Sequence, residues 1–429
     1  MRDGADVVEA LNGCPGGPEL LALASARDDV ALVGGAVRDI LLERRPRELD
    51  VVVADGAAEL AGALASRLGI LAGQSPDERF ESTFHERFRT ALLRWSAGQI
   101  DIATRRAESY PSPGALPEVR EGTVEEDLGR RDFTVNAISV PLGGPHRGEL
   151  QAPEGALADL AAGRLRVLHD QSFVDDPTRL LRLARYSARL RLQVEEHTAQ
   201  LAMSALAGDV LRTVSGARIG AELRLGLTEA DPLATFLTLS ELGVLGAIDS
   251  QLRLDEPLAH DALAMLPDDG RPDLMLLASL LLGAALNRET ATEAALRNLL
   301  DRLEFTAAER DRVIRTVLVV PTLAQALRAA SLPSEIHDTL APCTVEAVAL
   351  AAAMDPEGPL GAARGNAGEW LARLRHVCLA ITGDDLIAAG MPQGPEIGRR
   401  LQGVLRLKLD GEIDDGREAE LRAALEARV

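Results

Sequence analysis

The chain has 429 residues, 46% of them hydrophobic and 26% charged, and a formal net charge of −20. This composition is that of an ordinary globular protein with two to four domains. The negative charge argues against a protein that coats nucleic acid non-specifically, because such binding needs clustered cations. No stretch reaches the length of a membrane span and the N-terminus lacks a signal-peptide core, so we expect a cytoplasmic protein.

The first chemical signal is a double glycine followed by an acidic pair. Residues 1–30 predict one or two helices, after which an apolar run meets Gly34 and Gly35. A helical stretch follows, and then Glu48 and Asp50 stand at the head of a β-rich run. This order predicts a strand, a tight turn, a helix and a second strand.

That arrangement suits phosphate chemistry. Glycines let backbone N–H groups approach a phosphate, and the start of the next helix attracts the same anion. Glu48 and Asp50 are spaced i, i+2, so a strand would place both carboxylates on one face, where they could hold magnesium. A plain glycine turn followed by a solvated acidic turn is the alternative on these residues alone.

A third acid follows in the predicted sheet. The pattern predicts a helix over 57–68 and strands over 90–95 and 99–103, with a turn at 96–98. Asp101 lies in the second of these strands. Beside the first two acids it would complete a site in which two groups hold metal ions and one activates a hydroxyl. A lone surface aspartate at a strand edge is the alternative.

Two polar segments come next. Residues 108–119 contain three prolines and predict a flexible loop between a strand and a helix. The run 125–138 then places Arg130, Asp132 and Asn136 within an apolar frame, which suits contacts to a triphosphate and a sugar. A surface helix with ion pairs would have a similar sequence.

The remainder predicts helices. Asp176 fits an N-cap and Pro177 a first helical position, so we expect a helix to begin there. Its arginines share one face, while leucines and alanines take the other. Beyond residue 190 the pattern is all helical, with breaks at 231–232, 267–270 and 332–333 and a hinge or loop at 356–361. The arginines on the shared face are Arg179, Arg182, Arg185 and Arg189.

These motifs, in this order, resemble the class II tRNA nucleotidyltransferase family, which includes CCA-adding enzymes and bacterial poly(A) polymerases. The resemblance implies an α/β (α+β) nucleotidyltransferase head with a mixed sheet, followed by an elongated all-α neck, body and tail. We expect the head at 1–145, the neck at 146–228, the body at 229–372 and a tRNA-binding tail at 373–429. The matching segments are GGAVRD (34–39), IDIATRR (100–106), EEDLGRRDFTVNAI (125–138), VDDPTRLLR (174–182), TGDDLIAAG (382–390) and GPEIG (394–398).

The resemblance also implies an activity and its residues. CMP and/or AMP would be added from CTP or ATP to the 3′ end of tRNA without a template, with release of pyrophosphate and with Mg²⁺ as cofactor. Tail and body would bind tRNA, and neither DNA nor a membrane is expected. Glu48 and Asp50 would hold the metal, Asp101 would help to deprotonate the hydroxyl, and Asp176 and Arg179 would read the base. The other implied nucleotide-binding residues are Gly34, Gly35, Arg38, Arg130, Asp132, Asn136, Arg182 and Arg185.

One residue departs from the family pattern. The family carries two aspartates at the acidic pair, whereas this chain has Glu48. The extra methylene shifts the carboxylate by about a bond length, and magnesium tolerates little error. A catalytically weakened RNA-binding homologue is therefore the alternative of another class, and Glu48→Asp is expected to maintain or raise the rate. Within the enzyme class, addition of CCA, CC, A or poly(A) all stay open.

Overall fold

The computed structural model describes residues 2–69, 81–85, 89–286, 292–354 and 361–426. The chain divides into two compact units, Met1–Ser215 and Gly216–Val429. This boundary falls inside the predicted neck, and the division into head, neck, body and tail stays a prediction. Residues 356–360 of the predicted hinge lie outside the described residues. None of the described helices is both long and apolar enough to cross a membrane.

The first unit is organised by a mixed sheet. Its strand order, within the described residues, is β3-β4-β5-β2-β1-β8. β2 runs parallel to β5, whereas β1 is antiparallel to both β2 and β8. The mixed sheet of the implied head is thus confirmed. The strands of this sheet are β1 (Ala31–Val33), β2 (Leu49–Val53), β3 (Glu81–His85), β4 (Thr90–Trp95), β5 (Gly98–Thr104) and β8 (Ser139–Pro141).

The register of the central strands decides where the acids meet. Asp50 of β2 is paired with Asp101 of β5. Directly paired residues on neighbouring strands project from the same face, and strands lie about 4.8 Å apart. Val51, Val53, Ile100 and Ile102, which alternate with these acids, are buried. The two carboxylates therefore project together from the face opposite these four residues.

The prediction for the proline-containing segment is partly wrong. Its ends form an antiparallel pair, β6 (Arg106–Ser109) and β7 (Glu118–Glu121), so the irregular part is confined to 110–117. The segment is a hairpin connection and does not lead directly from a strand into a helix. The prolines correctly indicated the irregular part. The hydrogen bonds between β6 and β7 were missed because they join residues that are distant in the sequence.

Three helices of the first unit pack against this sheet. The two predicted N-terminal helices and the predicted helix over 57–68 are confirmed. Short 3₁₀ turns occur at Leu11–Gly13, Thr134–Asn136 and Val210–Thr213. The helices are α1 (Gly4–Ala10), α2 (Gly17–Ala24), α3 (Gly35–Leu41), α4 (Ala57–Arg67), α5 (Val124–Gly129), α6 (Ala156–Ala161), α7 (Ser172–Asp175), α8 (Arg179–Leu190) and α9 (Glu196–Ala207). The three that pack against the sheet are α3 on β1 and β2, α4 on β4 and β5, and α1 on β8.

Two predictions near α8 are wrong. The helix begins at Arg179 and not at Pro177, because its first i→i+4 bond runs from the Arg182 N–H to the Thr178 carbonyl at 3.2 Å, whereas the Pro177 carbonyl accepts from Leu180 at 3.1 Å in a tighter turn. The Asp176 side chain accepts from the backbone N–H of Thr178 at 3.1 Å and from its hydroxyl at 2.6 Å, a contact of the capping type. The chain beyond residue 190 is not entirely helical either. β10 (Gln193–Val194) pairs in parallel with β9 (Arg164–Leu165). A pair of two-residue strands leaves almost no periodic signal in a sequence.

The second unit is helical throughout its described residues outside the turns. The predicted breaks are confirmed, since α11 and α17 begin at their prolines and 267–270 separates α13 from α14. A 3₁₀ turn spans Leu374–His376. The helices are α10 (Gly216–Leu227), α11 (Pro232–Glu241), α12 (Val244–Ile248), α13 (Glu256–Met265), α14 (Pro272–Leu286), α15 (Glu293–Arg302), α16 (Ala307–Ala329), α17 (Pro333–Leu340), α18 (Val345–Ala353), α19 (Ala362–Ala372), α20 (Gly383–Ala388), α21 (Pro395–Leu409) and α22 (Arg417–Glu426).

The last three helices share a small core. It contains Ile381, Leu386, Ile397, Val404 and Ala424. The helices are also joined by the chain's only lysine.

This lysine, Lys408 of α21, lies 2.7 Å from a carboxylate oxygen of Glu420, a fully buried residue of α22. Glu420 also accepts a hydrogen bond from the backbone N–H of Ala380 at 2.6 Å. Because a buried carboxylate is costly unless it is paired, this contact fixes α22 against its neighbours.

Candidate active site

Three carboxylates meet at one edge of the paired central strands. Asp50 and Asp101 are register partners, and Glu48 immediately precedes β2. Gln99 joins two of them, because its Nε2 donates to Glu48 Oε2 at 3.0 Å and to Asp101 Oδ2 at 2.7 Å. The sequence analysis predicted that these acids come together, and the structure brings them together.

The electrostatics of this cluster favour a cation. Burial raises the pKa of Asp50 to about 7, with the charge of Glu48 adding to the effect and that of Arg131 opposing it. Desolvation likewise raises the pKa of Glu48, as does the charge of Asp101. The charge of Glu48 thus makes Asp50 harder to ionise, and the charge of Asp101 does the same to Glu48. A positive ion placed among them would relieve this repulsion.

Gly34 lies against the same cluster. Its backbone has φ +70° and ψ −133°, a region open in practice to glycine, and its N–H donates to the Ile138 carbonyl at 2.9 Å. A Cβ at this position would lie 3.0 Å from Arg131 Nη1 and 3.5 Å from Asp50 Oδ2. The glycine is therefore required mainly by its backbone conformation. Gly35 begins α3, a helix of 7 residues.

The two adjacent arginines have different surroundings. Arg130 donates to Glu108 at 2.9 Å and to Asp127 at 2.8 Å, so its guanidinium is bound within the frame of the site. Arg131 also binds Asp127, at 2.9 Å, and its other terminal nitrogen lies close to Gly34. Of the two adjacent arginines, Arg131 and not the predicted Arg130 is the one whose charge lowers the pKa of Asp50.

A chain of polar contacts connects the glycine turn with α8. Arg38, only 1% exposed, bonds Asp39 at 2.8 Å and also the amide oxygen of Asn136. The Asn136 amide donates to Asp132 at 2.9 Å, and Asp132 lies 3.9 Å from Arg182 Nη1. Four of the predicted nucleotide-binding residues are therefore brought together. Arg38 is buried and its guanidinium bonds Asn136, and the predicted contact of Arg38 with the triphosphate stays a prediction.

The arginines of α8 differ in exposure, contrary to the expected cationic face. Arg179 is 3% exposed and donates to the Ser172 hydroxyl at 2.6 Å and to the Arg130 carbonyl at 2.7 Å. Arg185 is 9% exposed, and its guanidinium lies 4.9 Å from the centre of the Tyr186 ring. Helical periodicity correctly placed these residues on one face, but it carried no information on what covers that face.

The Tyr186 ring contacts several of these arginines and one aromatic residue. Its ring packs edge-on against Phe133 at 5.9 Å between centroids. The guanidinium groups of Arg38 and Arg189 lie 5.8 and 5.1 Å from the ring centre. Cations over an aromatic face are attracted by its quadrupole. Sequence reasoning missed this residue, although an aromatic flanked by arginines in a chain with two tyrosines was an available signal.

The carboxylate oxygens of the cluster suit a hard divalent cation whose remaining coordination positions are filled by water and substrate. No group of three or more His, Cys, Asp or Glu side chains in the described parts of the chain is arranged as a ready-made metal site. Mg²⁺ rarely uses such a cage, since it binds through one or two carboxylates, several waters and substrate phosphates. The oxygen-only cluster of Glu48, Asp50 and Asp101, with its mutual repulsion, has that character.

Comparison with known proteins decides the family. A family model described as the poly A polymerase head domain matches residues 30–166. The chain is 32% identical over 412 residues to the A-adding tRNA nucleotidyltransferase of Geobacter sulfurreducens, and the match covers 92% of this chain. It is 32% identical over 425 residues to the multifunctional CCA protein of Xanthomonas axonopodis pv. citri, covering 87% of this chain and 96% of that protein. This chain belongs to the tRNA nucleotidyltransferase and poly(A) polymerase family.

Its fold agrees with that membership. The nucleotidyltransferase from Thermotoga maritima solved as a "CCA-adding enzyme complexed with tRNA_CCA" has a TM-score of 0.78 and 25% identity, over 99% of this chain and 98% of that one. The match to the Geobacter relative spans 45% of that relative's length. Members of the family are in general metal-dependent.

In this nucleotidyltransferase family member a cavity of about 270 Å³ opens beside the acids. Glu48 and Gln99 line it together with Arg45, Arg47 and Gly98. Arg45 and Arg47 are exposed, so they place positive charge beside Glu48 at the mouth of this cavity. Neither arginine was predicted from the sequence, although Arg47 directly precedes Glu48 and Arg45 lies three residues before it.

Proposed function

We propose that this protein is a metal-dependent, template-independent tRNA nucleotidyltransferase that acts in the cytoplasm. It adds CMP and/or AMP from CTP or ATP to the 3′ end of tRNA and releases pyrophosphate. The observation that carries the proposal is the pairing of Asp50 with Asp101 on adjacent parallel strands, with Glu48 and Gly34 beside them. Family membership and the tRNA-bound structural neighbour support the choice of substrate.

The proposed reaction is an in-line displacement at the α-phosphorus. The terminal 3′ oxygen of the RNA forms a bond to that phosphorus, and the bond to the bridging oxygen of the β-phosphate breaks. The hydroxyl proton passes to Asp101 Oδ1 or Oδ2, and pyrophosphate carries away the electron pair. Glu48 and Asp50 would hold Mg²⁺, which when bound neutralises phosphate charge. Arg131, beside Gly34, adds a fixed positive charge near the same oxygens.

We further propose that Asp132, Asn136 and Arg182 orient the nucleotide, and that Asp176 and Arg179 read its base. The contacts of Arg38 with Asn136, and of Asn136 with Asp132, hold the first group in one arrangement. Base reading by Arg179 would exchange its bonds to Ser172 and to the Arg130 carbonyl for bonds to the base edge. Such bidentate pairing is physically reasonable for an arginine.

The experiment that tests this function supplies CTP or ATP separately. The purified full chain, with Mg²⁺, is incubated with labelled nucleotide and with tRNAs that end before the first C, after CC, or complete. Incorporation that depends on the tRNA end supports the proposal and also identifies the product as CCA, CC, A or poly(A). Asp50→Asn should abolish incorporation, whereas Asp209→Asn, at an exposed aspartate outside the carboxylate cluster, should leave it unchanged.

One outcome would replace this proposal with its alternative. If the wild-type protein binds tRNA but incorporates neither nucleotide, the chain is an RNA-binding homologue that has lost catalysis. The alternative rests on Glu48, because the family has aspartate at its position and a longer side chain there would shift the carboxylate proposed to hold the metal.

A further inference from the structure

Gln99 lies beside the carboxylate cluster but outside the motifs that match the family. It lies in β5 two residues before Asp101, so the two side chains share one face of the sheet. Its partner in the antiparallel pairing with β4 is Arg94. The residue is half-buried and lies between the acid that precedes β2 and the acid of β5.

All the hydrogen-bonding groups of this amide have matching partners. Arg94 Nε donates to Gln99 Oε1 at 2.9 Å. An amide oxygen that accepts from a guanidinium leaves the NH₂ group directed to the other side. The two hydrogens of Nε2 then go to two different carboxylates, Glu48 at 3.0 Å and Asp101 at 2.7 Å. Arg94 thus determines which end of the amide faces the acids.

We propose that Gln99 is a positioning residue of the active site, which fixes the carboxylates of Glu48 and Asp101 relative to each other through the two hydrogens of one amide. The inference rests on the proposed function and deepens it. A neutral donor suits this task. Lysine or arginine at the same place would neutralise the acids and repel a metal ion, whereas an amide directs lone pairs without adding charge.

The length of Glu48 fits this arrangement. Shortening the side chain to aspartate withdraws the carboxylate by about 1.5 Å, one carbon–carbon bond. Starting from 3.0 Å, that withdrawal takes the oxygen beyond hydrogen-bonding distance of Gln99. Glu48 and Gln99 therefore form a matched pair. This contact reverses the expectation for Glu48→Asp, which should now weaken metal binding and lower the rate.

The test compares metal binding with catalysis in the full-length protein. Gln99→Leu keeps the approximate size and removes both donors, and Gln193→Leu, at an exposed strand glutamine, is the matched control. Binding of Mn²⁺ alone is measured from the loss of the free-ion paramagnetic signal, without nucleotide. Nucleotide incorporation is then measured against Mg²⁺ concentration.

Gln99→Leu should weaken Mn²⁺ binding and raise the half-maximal Mg²⁺ concentration by about ten- to hundredfold, as is typical when a partner of a metal ligand is lost. High Mg²⁺ should restore much of the rate, which a general structural defect would not allow. Arg94→Met leaves Gln99 in place but frees its amide to turn. This variant should also weaken Mn²⁺ binding and raise the half-maximal Mg²⁺ concentration, but by a smaller factor than Gln99→Leu. Gln193→Leu should change neither.

A double-mutant cycle isolates the contact with residue 48. In a background of Glu48→Asp, adding Gln99→Leu should cost less than it costs in the wild type, because one of the two bonds is already lost. Unchanged Mn²⁺ binding and an unchanged Mg²⁺ midpoint in Gln99→Leu would overturn the proposal, as would wild-type protein that binds no Mn²⁺. Failure of the proposed function is seen separately, as absent incorporation by a wild type whose Mn²⁺ binding still depends on Gln99.

Discussion

Substituting Gly34 by alanine should damage the active site through the backbone. The residue has φ +70° and ψ −133°, which an L-residue with a Cβ adopts only under strain. Holding a non-glycine residue in such a sparsely populated region costs about 1–3 kcal/mol. Relaxing the turn instead would break the bond from the Gly34 N–H to the Ile138 carbonyl, which contributes about 0.5–1.5 kcal/mol.

Side-chain crowding adds little to that cost. The new methyl group would lie 3.0 Å from Arg131 Nη1, the far end of a flexible side chain that can shift by a few tenths of an ångström. Its distance of 3.5 Å from Asp50 Oδ2 is ordinary van der Waals contact. We therefore expect a loss of about 1–3 kcal/mol, which comes mainly from backbone strain.

Native-state hydrogen exchange of the amides in β1 and α3 measures this loss locally. Gly35→Ala is the matched control, because its Cβ would meet Arg38 Nη2 at 3.4 Å and its backbone is helical, so that alanine should be neutral or stabilise by up to about 1 kcal/mol. If Gly34→Ala exchanges as slowly as the wild type, or both variants lose the same amount, the conformational argument is wrong.

Three further predictions concern charged groups. In metal-free protein the Asp50 carboxyl should titrate near pH 7, and Glu48→Gln should lower its pKa because a repelling charge is removed; carboxyl NMR measures both values. Burial alone would raise the pKa of Asp127, but its paired arginines hold that pKa below the usual value. The ionised carboxylate therefore stabilises the fold above about pH 4, and this contribution is lost as the pH falls through the lowered pKa. Asp127→Asn should therefore cost about 3–5 kcal/mol at pH 7, and urea unfolding should give a smaller difference from the wild type at pH 3. Lys408→Met should leave the buried Glu420 without its cation, loosening α22 by about 3 kcal/mol, which limited proteolysis would detect as earlier cleavage in 410–426.

Much of the first unit was predictable because its signals are local. An apolar run, a double glycine and an acidic pair at i, i+2 gave β1, the turn, α3 and β2 in the right order. The limits of α4 and β4 followed from periodicity in the same way. The β6–β7 hairpin and the β9–β10 pair were missed because their partner strands are non-local or only two residues long.

Within the site, the sequence placed the acids but not their partners. Asp101 was predicted to join Glu48 and Asp50 from its place on a strand downstream of the glycine turn and from the family resemblance, and its register pairs it with Asp50. Gln99 was missed, although the period of two in a strand puts it on the same face as Asp101. The distinction between Arg130 and Arg131 was beyond sequence reasoning, because it depends on where the buried carboxylate of Asp127 lies.

The parallel pairing of β2 with β5 also has a consequence for folding. Parallel neighbours cannot be joined by a tight turn, so Asp50 and Asp101 meet only after the chain has passed through α4, β3 and β4 and returned. Closing the loop between these two residues costs more chain entropy than closing the β4–β5 hairpin. The pairing of these carboxylates therefore depends on a contact between distant parts of the chain, and a chain still emerging from the ribosome carries Asp50 before Asp101 has been made.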